Sequence, residues 1–558
     1  MTKIYTIAND FVERFAAQNP VSATGMGVPG HDDRMSDYSP HGADANAGLA
    51  RETVAALEAA EPENERDRIA KDVMLDDLRT NLDAYDAGEH LRNLRVLGSP
   101  LQGLRMTFDL MPRDTEEQWS NIASRLNLVP EGLAGYRRTL DEGLSKGTAS
   151  SKRQASECAK QAQTWSGANG QPSFFHGLLD NFESSGISNS AMRKDIETGA
   201  KAAAQAFSEM GVYLTSEYLP KADARDPVGK ERYALSSRAF NGIDLDLEDT
   251  YAWSWEQLRW VESEMAKTAD KILPGGSVED AKALLESDPD RAIEGVDQFQ
   301  QWMQDLQDRT IEELNGTHFD IAEPIKKIEA MIAPPGGALA MYYTGPSEDF
   351  SRPGRTWYPT GGKTRFPLWG EVSIAYHEGV PGHHFERATA KYLTSELSRF
   401  QSVMGGRSGY VEGWGLYAER LMAELGYMEN PDYYLGMLRA QALRSVRVII
   451  DIGMHLEMPI PSDSDFHPGE VWNPELGLTF IQQRSHFPSD FVASEIDRYL
   501  GMPGQAISYK VGEREWLSAR SDSERQKGSD FVLKDFHTRA LNLGPMGLGQ
   551  MRKEMAGI

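Results

Sequence analysis

Residues 371 to 386, EVSIAYHEGVPGHHFE, place three histidines and three glutamates within sixteen positions. Imidazoles and carboxylates at this density are the donors of a metal site, and a carboxylate beside them can carry protons in a hydrolysis. His377-Glu378 opens like the H-E-x-x-H helix, in which two histidines one turn apart bind zinc and the glutamate is the base. The pattern then departs. Pro381 stands four residues after His377, and the next histidines are His383 and His384.

Two ligands of one tetrahedral zinc need donor atoms about 3–4 Å apart, given bonds near ~2 Å. On a straight helix, residues six apart diverge by roughly 120°, and residues seven apart lie about 10 Å apart along the axis. Neither His383 nor His384 can join His377 on an unbroken helix. Pro381 removes the obstacle, because its ring clashes with the His377 carbonyl and opens the helix, while Gly382 adds backbone freedom. The chain is expected to loop out and restart at Pro381. That returns His383 to the metal, with His384 as the alternate ligand or a substrate contact. The plainer reading is a helix end carrying solvated imidazoles.

A third ligand comes from VEGWGLYAERLMAEL, 411 to 425. Glu412 and Glu419 are seven apart and share a helix face, beside an apolar stripe of Trp414, Tyr417 and Leu421. Carboxylates in such a helix are costly to bury unless paired or metal-bound. Two histidines and one glutamate are the set that leaves a position open for water. Glu412 is therefore the candidate ligand and Glu419 its support, against a plain surface role for Glu412.

Other positions can serve a substrate. Asp451 precedes His455 by one turn and can orient its imidazole toward a substrate carbonyl or an oxyanion. The alternative there is a structural Arg447-Asp451-His455 stripe. Tyr509 can donate its phenol to the oxyanion, with Gln505 one turn earlier as a substrate contact. Arg352, in a loop, can hold a substrate carboxylate bidentately. His537 is a weaker candidate, and His467 and His486 read as loop histidines.

The blocks HEGVPGHH, EGWGLYAE, VIIDIGMH, PGQAISYKVG and KDFHTRAL resemble the signature blocks of the bacterial domain of unknown function 885 family. That family is grouped by resemblance with gluzincin-type (clan MA) zinc metallopeptidases. The similarity covers nearly the whole chain, though its distinctive motifs lie in the last third. HE…GH followed by VE…E also resembles thimet-oligopeptidase-like enzymes. The resemblance implies one Zn2+ ion on His377, His383 and Glu412, with Glu378 as base. This chain has two extra residues between Glu378 and Gly382, which leaves His383 and His384 both open. The activity implied is cleavage of short peptides in a deep interior groove. Rival readings are a zinc amidase or esterase, a non-catalytic metal-binding helical protein, and a two-metal centre using Glu386, Glu412 and Glu419.

The elements that must position these residues are mostly helical. A length of 558 residues, 40% hydrophobic and 25% charged, is that of a globular protein with an ample core. A helical region over 1–315 and a site-bearing region over 316–558 are expected. Seven of the twelve histidines lie from His377 onward, which puts the site in the second region. The segment from Ile325 to Thr360 carries a Pro-Pro-Gly-Gly break and aromatic alternation, so one small sheet is expected beside the site. Helix breaks are expected near Pro130, and an irregular loop over 21–48. A net charge of −26 argues against nucleic acid and anionic membranes as partners. One cysteine, Cys158, rules out an internal disulfide and reads as inert. The first twenty residues show no signal-peptide pattern, so a cytoplasmic location is expected.

Overall fold

The computed structural model describes residues 1–333, 341–347 and 349–556. The chain is mainly α with small sheets, as the helical periodicity predicts. It forms two compact units, Met1–Val228 with Asp497–Met502, and Gly229–Ile496 with Pro503–Ile558. The division thus falls well before the 315/316 boundary expected from the sequence.

The first unit is helical, and a hydrophobic core of its buried residues runs from Leu94 to Ala222. Helix α1 (Glu116–Ser145) runs unbroken through Pro130, where a break was expected. Val129, Leu133, Tyr136 and Leu140 are all buried on it, and it packs against the Ala-rich helix α2 (Ser190–Tyr213). A long buried face outweighs the ~3 kcal/mol that an interior proline costs. The stretch read as an irregular loop also carries a helix, which starts at Pro40 after Ser39. Proline at a first helical position is favourable there, because its missing N–H would be unpaired anyway. Cys158 is buried, and burial pushes its thiol up to about 12, which fits an inert residue.

The second unit contains two sheets. Strands β2 (Ile328–Ile332), β3 (Tyr342–Thr344) and β4 (Gly354–Tyr358) form the expected sheet. β4 is central, parallel to β2 and antiparallel to β3. The Pro-Pro-Gly-Gly break at 334–337 lies outside the described residues. A second ribbon, β1 (Ala292–Glu294) with β5 (Arg365–Pro367), was not foreseen, because three-residue strands carry too little alternation to register.

Seven helices of this unit frame the candidate site: α3 (Val296–Leu314), α4 (Glu371–Glu378), α5 (His383–Tyr392), α6 (Ser408–Glu424), α7 (Pro431–Leu456), α8 (Ser508–Lys527) and α9 (Leu533–Asn542). Every residue of α7 from Ala440 to His455 is buried, so it acts as the unit's spine. Helices α6 and α8 touch backbone to backbone. A Cβ on Gly413 would run into the Cα of Gly512, so only glycine permits this approach.

Candidate metal centre

Helix α4 ends at Glu378 and α5 begins at His383, so the chain breaks at Gly379–Gly382 as the proline argument requires, although the helix restarts at His383 and not at Pro381 as expected. The Gly382 N–H donates to the Tyr376 carbonyl (3.0 Å), and the His384 N–H donates to that of Gly379 (3.1 Å). Two side chains pin the loop from outside. The Trp414 indole N–H on α6 donates to the carbonyls of Pro381 (2.8 Å) and Gly382 (3.2 Å). The Gln307 amide on α3 donates to the Ala375 carbonyl (3.1 Å) and accepts from the Val380 N–H (3.4 Å). The imidazoles of His377 and His383 consequently lie 4.6 Å apart between centroids, at 81°.

Both histidines converge on α6. Nε2 of His377 and Nε2 of His383 each lie 3.4 Å from the same Glu412 oxygen. One donor atom from each of the three residues lies within 4.8 Å of the others. Behind them, Nδ1 of His377 is 2.8 Å from Glu419, whose other oxygen accepts from the Ser373 hydroxyl. A carboxylate can only accept, so Nδ1 carries a proton, and Nε2, facing Glu412, is the nitrogen left to hold either a second proton or a metal. Gly415 makes room for this ring, since a Cβ there would lie 2.7 Å from Cε1 of His377.

The charges call for a cation. Burial pushes the His377 pKa down, but the Glu412 and Glu419 carboxylates pull it up to about 10. Burial likewise opposes the charge on Glu412, yet the two imidazoles hold its pKa well below the usual carboxylate range. The two Nε2 atoms and the carboxylate oxygen converge on one point, which a proton shared between them or a metal can fill. Two nitrogens and one oxygen suit zinc, so the residues present fit the ion. Glu378 is buried at the end of α4; burial raises its pKa, and His383 and His377 partly offset that.

His384 stands outside this group, and its expected role as alternate ligand or substrate contact is corrected. It is wholly buried, with Nε2 2.7 Å from the Ile325 carbonyl and Nδ1 3.0 Å from the Tyr343 hydroxyl. A carbonyl requires a donor, so Nε2 carries the proton and Nδ1 spends its lone pair on Tyr343. Burial lowers its pKa to about 4, in keeping with a neutral ring.

Tyr509, half-buried at the start of α8, stacks on His377 at 6.4 Å between centroids. Gln505 reaches Ser408 at 3.3 Å. His455 is wholly buried, 3.7 Å from Asp451 and beside the Tyr233 ring. Asp451 accepts from the Tyr233 hydroxyl (2.7 Å) and the Gly504 N–H (2.9 Å). Those surroundings match the structural stripe rather than a place at the oxyanion. Arg352 spends its guanidinium on the carbonyls of Gly345 (2.8 Å) and Pro353 (3.4 Å). The two-metal arrangement loses both extra carboxylates, because Glu386 pairs with Arg387 at 2.8 Å and Glu419 is spent on His377 and Ser373. His537 is buried against Phe319, with Nε2 2.7 Å from the Tyr417 hydroxyl. His467 and His486 pair with Glu470 and Glu279.

Sequence reasoning passed over Arg444. Its guanidinium carbon lies 5.4 Å from the centre of the Tyr509 ring, and its charge favours the ionised form of Glu378. The available signal was an arginine inside the apolar run ALRSVRVII.

A mainly helical fold in which two buried histidines meet a half-buried glutamate, with a second, buried glutamate beside them, defines a candidate metal protein. Residues 20–555 match the family described as bacterial protein of unknown function (DUF885), and the chain belongs to that family. Its fold is shared by a candidate lipoprotein from Colwellia psychrerythraea, at 19% identity and a TM-score of 0.82 over 99% of this chain and 98% of that one. A candidate lipoprotein of unknown function from Shewanella oneidensis is also 19% identical, with a TM-score of 0.74 over the whole of both chains. No curated protein matches the chain. Among the described residues no helix is long and apolar enough to cross a membrane.

Proposed function

We propose that this protein is a zinc-dependent hydrolase cleaving peptide bonds of short peptides. The observation that carries the reading is the convergence of His377 Nε2 and His383 Nε2 on one oxygen of Glu412, with Glu378 next to the first ligand. A zinc ion held by these three residues would supply Lewis acidity, which polarises an amide carbonyl and makes water a better acid. Glu378 accepts the proton of the attacking water and passes it to the leaving amine. Its buried position raises its pKa and so helps it hold that proton between the two transfers. Tyr509, stacked on His377, offers a phenol to the developing oxyanion. An extended peptide could be held by backbone hydrogen bonds along the sheet of β2, β4 and β3, whose strand β3 is tied to α5 through the Tyr343–His384 hydrogen bond.

Two measurements test this. Protein purified without chelators should carry about one zinc per chain; less than about a tenth of an equivalent would sink the reading. Glu378→Gln should keep the metal and lose roughly 10²- to 10⁴-fold in turnover. A fully active Glu378→Gln protein would falsify the base assignment. A panel of dipeptides, non-peptide amides and esters separates a peptidase from an amidase or esterase. The cytoplasmic location is part of the proposal, and recovery of the protein with the cell envelope would refute it.

A further inference from the structure

The buried stretch of α7 carries several polar side chains, and most are matched from within the chain. Gln441 donates to Glu513 (2.8 Å) and accepts from Lys510 (2.5 Å). Arg447, whose guanidinium carbon lies 4.7 Å from the centre of the Tyr509 ring, donates to Glu495 at 2.7 Å. Asp451 is held by Tyr233 and Gly504. Arg444 is the exception. It is 6% exposed, its buried Nε has no hydrogen-bond partner, and among the described residues no carboxylate forms an ion pair with it. An arginine cannot relieve such burial by losing its proton. Two guanidiniums thus flank one aromatic ring; Arg447 is ion-paired with Glu495, whereas Arg444 acts on the Glu378 carboxylate only at longer range and forms no ion pair among the described residues.

That ring also locates the unmatched charge. Tyr509 stacks on the ligand His377 at 6.4 Å, and Arg444 lies over the same tyrosine at 5.4 Å. Guanidinium and ligand imidazole are therefore at most about 12 Å apart, a span that no more than three or four extended residues cover. Part of that span is taken up by a metal–ligand bond and a guanidinium–carboxylate bond. What remains holds at most one or two residues of substrate. The loop arginine expected to bind a carboxylate, Arg352, is occupied with backbone carbonyls.

We propose that Arg444 anchors the free C-terminal carboxylate of the substrate, one or two residues beyond the bond that is cleaved. The substrate class is then peptides with an unblocked C-terminus, from which one or two residues are removed. This rests on the metallohydrolase reading for the cleavage, but carboxylate binding can be measured without turnover.

The test uses full-length Glu378→Gln protein loaded with zinc, titrated calorimetrically with an N-acetylated dipeptide as the free acid and as the C-terminal amide. The acid should bind about 10- to 100-fold more tightly than the amide, as a charge-assisted guanidinium–carboxylate contact provides. Arg444→Met should abolish this preference while amide binding stays within about twofold, and Arg444→Lys should restore part of it. Equal binding of acid and amide by the Arg444-bearing protein overturns the proposal, whether or not the methionine variant folds. So does a preference that survives in Arg444→Met. An equal loss on both ligands assigns Arg444 to the carbonyl oxygen instead and also overturns it. Turnover of the same peptides by the Glu378-bearing protein is read separately. Selective acid binding without cleavage leaves the anchor standing and removes the peptidase reading, whereas cleavage without acid preference does the reverse.

Discussion

Replacing Glu419 by glutamine keeps the outline of a wholly buried side chain and removes the charge behind His377. In the parent protein one Glu419 oxygen is 2.8 Å from Nδ1 of His377, and the other accepts from the Ser373 hydroxyl. The glutamine carbonyl can still accept from Nδ1–H, and its amide can donate to the Ser373 oxygen, so the imidazole stays in place. What disappears is the negative charge that makes Nε2 a stronger base toward a metal. Carboxylates that support a ligating histidine are worth about 10- to 100-fold in metal affinity, or roughly 1.4–2.7 kcal/mol. Zinc affinity of Glu419→Gln should fall by that factor. Glu419→Ala should lose more, because it also leaves the buried Nδ1–H unpaired at about 1–3 kcal/mol. The assay is competition against a chromophoric chelator at fixed pH, with circular dichroism showing that the helices persist. Zinc binding by Glu419→Gln as tight as in the parent would refute the reasoning, since it would mean that the 2.8 Å contact does not act on the ligand.

Two further outcomes follow from the histidines. His383→Ala should reduce zinc affinity by more than the ~10- to 100-fold assigned to a supporting carboxylate, while His384→Gln should keep the metal and cost about 1–3 kcal/mol of stability; zinc titration and urea unfolding of both variants check this, and the opposite pattern would return the ligand role to His384. His537 is a buried neutral ring whose pKa burial lowers to about 3. The unfolded chain binds that proton from about 6.5 downward, so between about 6.5 and about 3 stability falls as pH falls, by up to about 1.4 kcal/mol per unit. His537→Gln, which can keep a bond to Tyr417, should flatten this part of the profile. Urea midpoints at pH 7 and 5 that drop equally in parent and variant would show that His537 does not contribute.

What the sequence discloses about the site depends on how local each relation is. Pro381, four residues after His377, opens the helix through a contact within its own chain segment, so the interruption could be foreseen. Glu412 and Glu419 share a helix face by periodicity alone, and the structure sets them at Nε2 and Nδ1 of His377 respectively. The choice between His383 and His384 was not accessible, because it is made by partners distant in sequence, Ile325 and Tyr343. Arg352 and Arg444 show the same limit in reverse. A loop arginine reads as available and is spent on carbonyls, while a helix arginine reads as core and has no partner carboxylate. The unbroken helix through Pro130 adds the converse case, where long-range packing overrides a strong local signal.

The loop between His377 and His383 is shaped by Trp414 and Gln307, from two helices that flank it. Its curvature is thus set by hydrogen bonds within the protein and not by the ion the histidines would hold. The ordering entropy of the two ligands is absorbed when the chain folds, so it does not recur each time a metal enters. Such a centre can be emptied and refilled by a different divalent ion with its donors unmoved. Which metal such a centre would carry in a cell would then depend on supply and ligand chemistry more than on any remodelling of the protein.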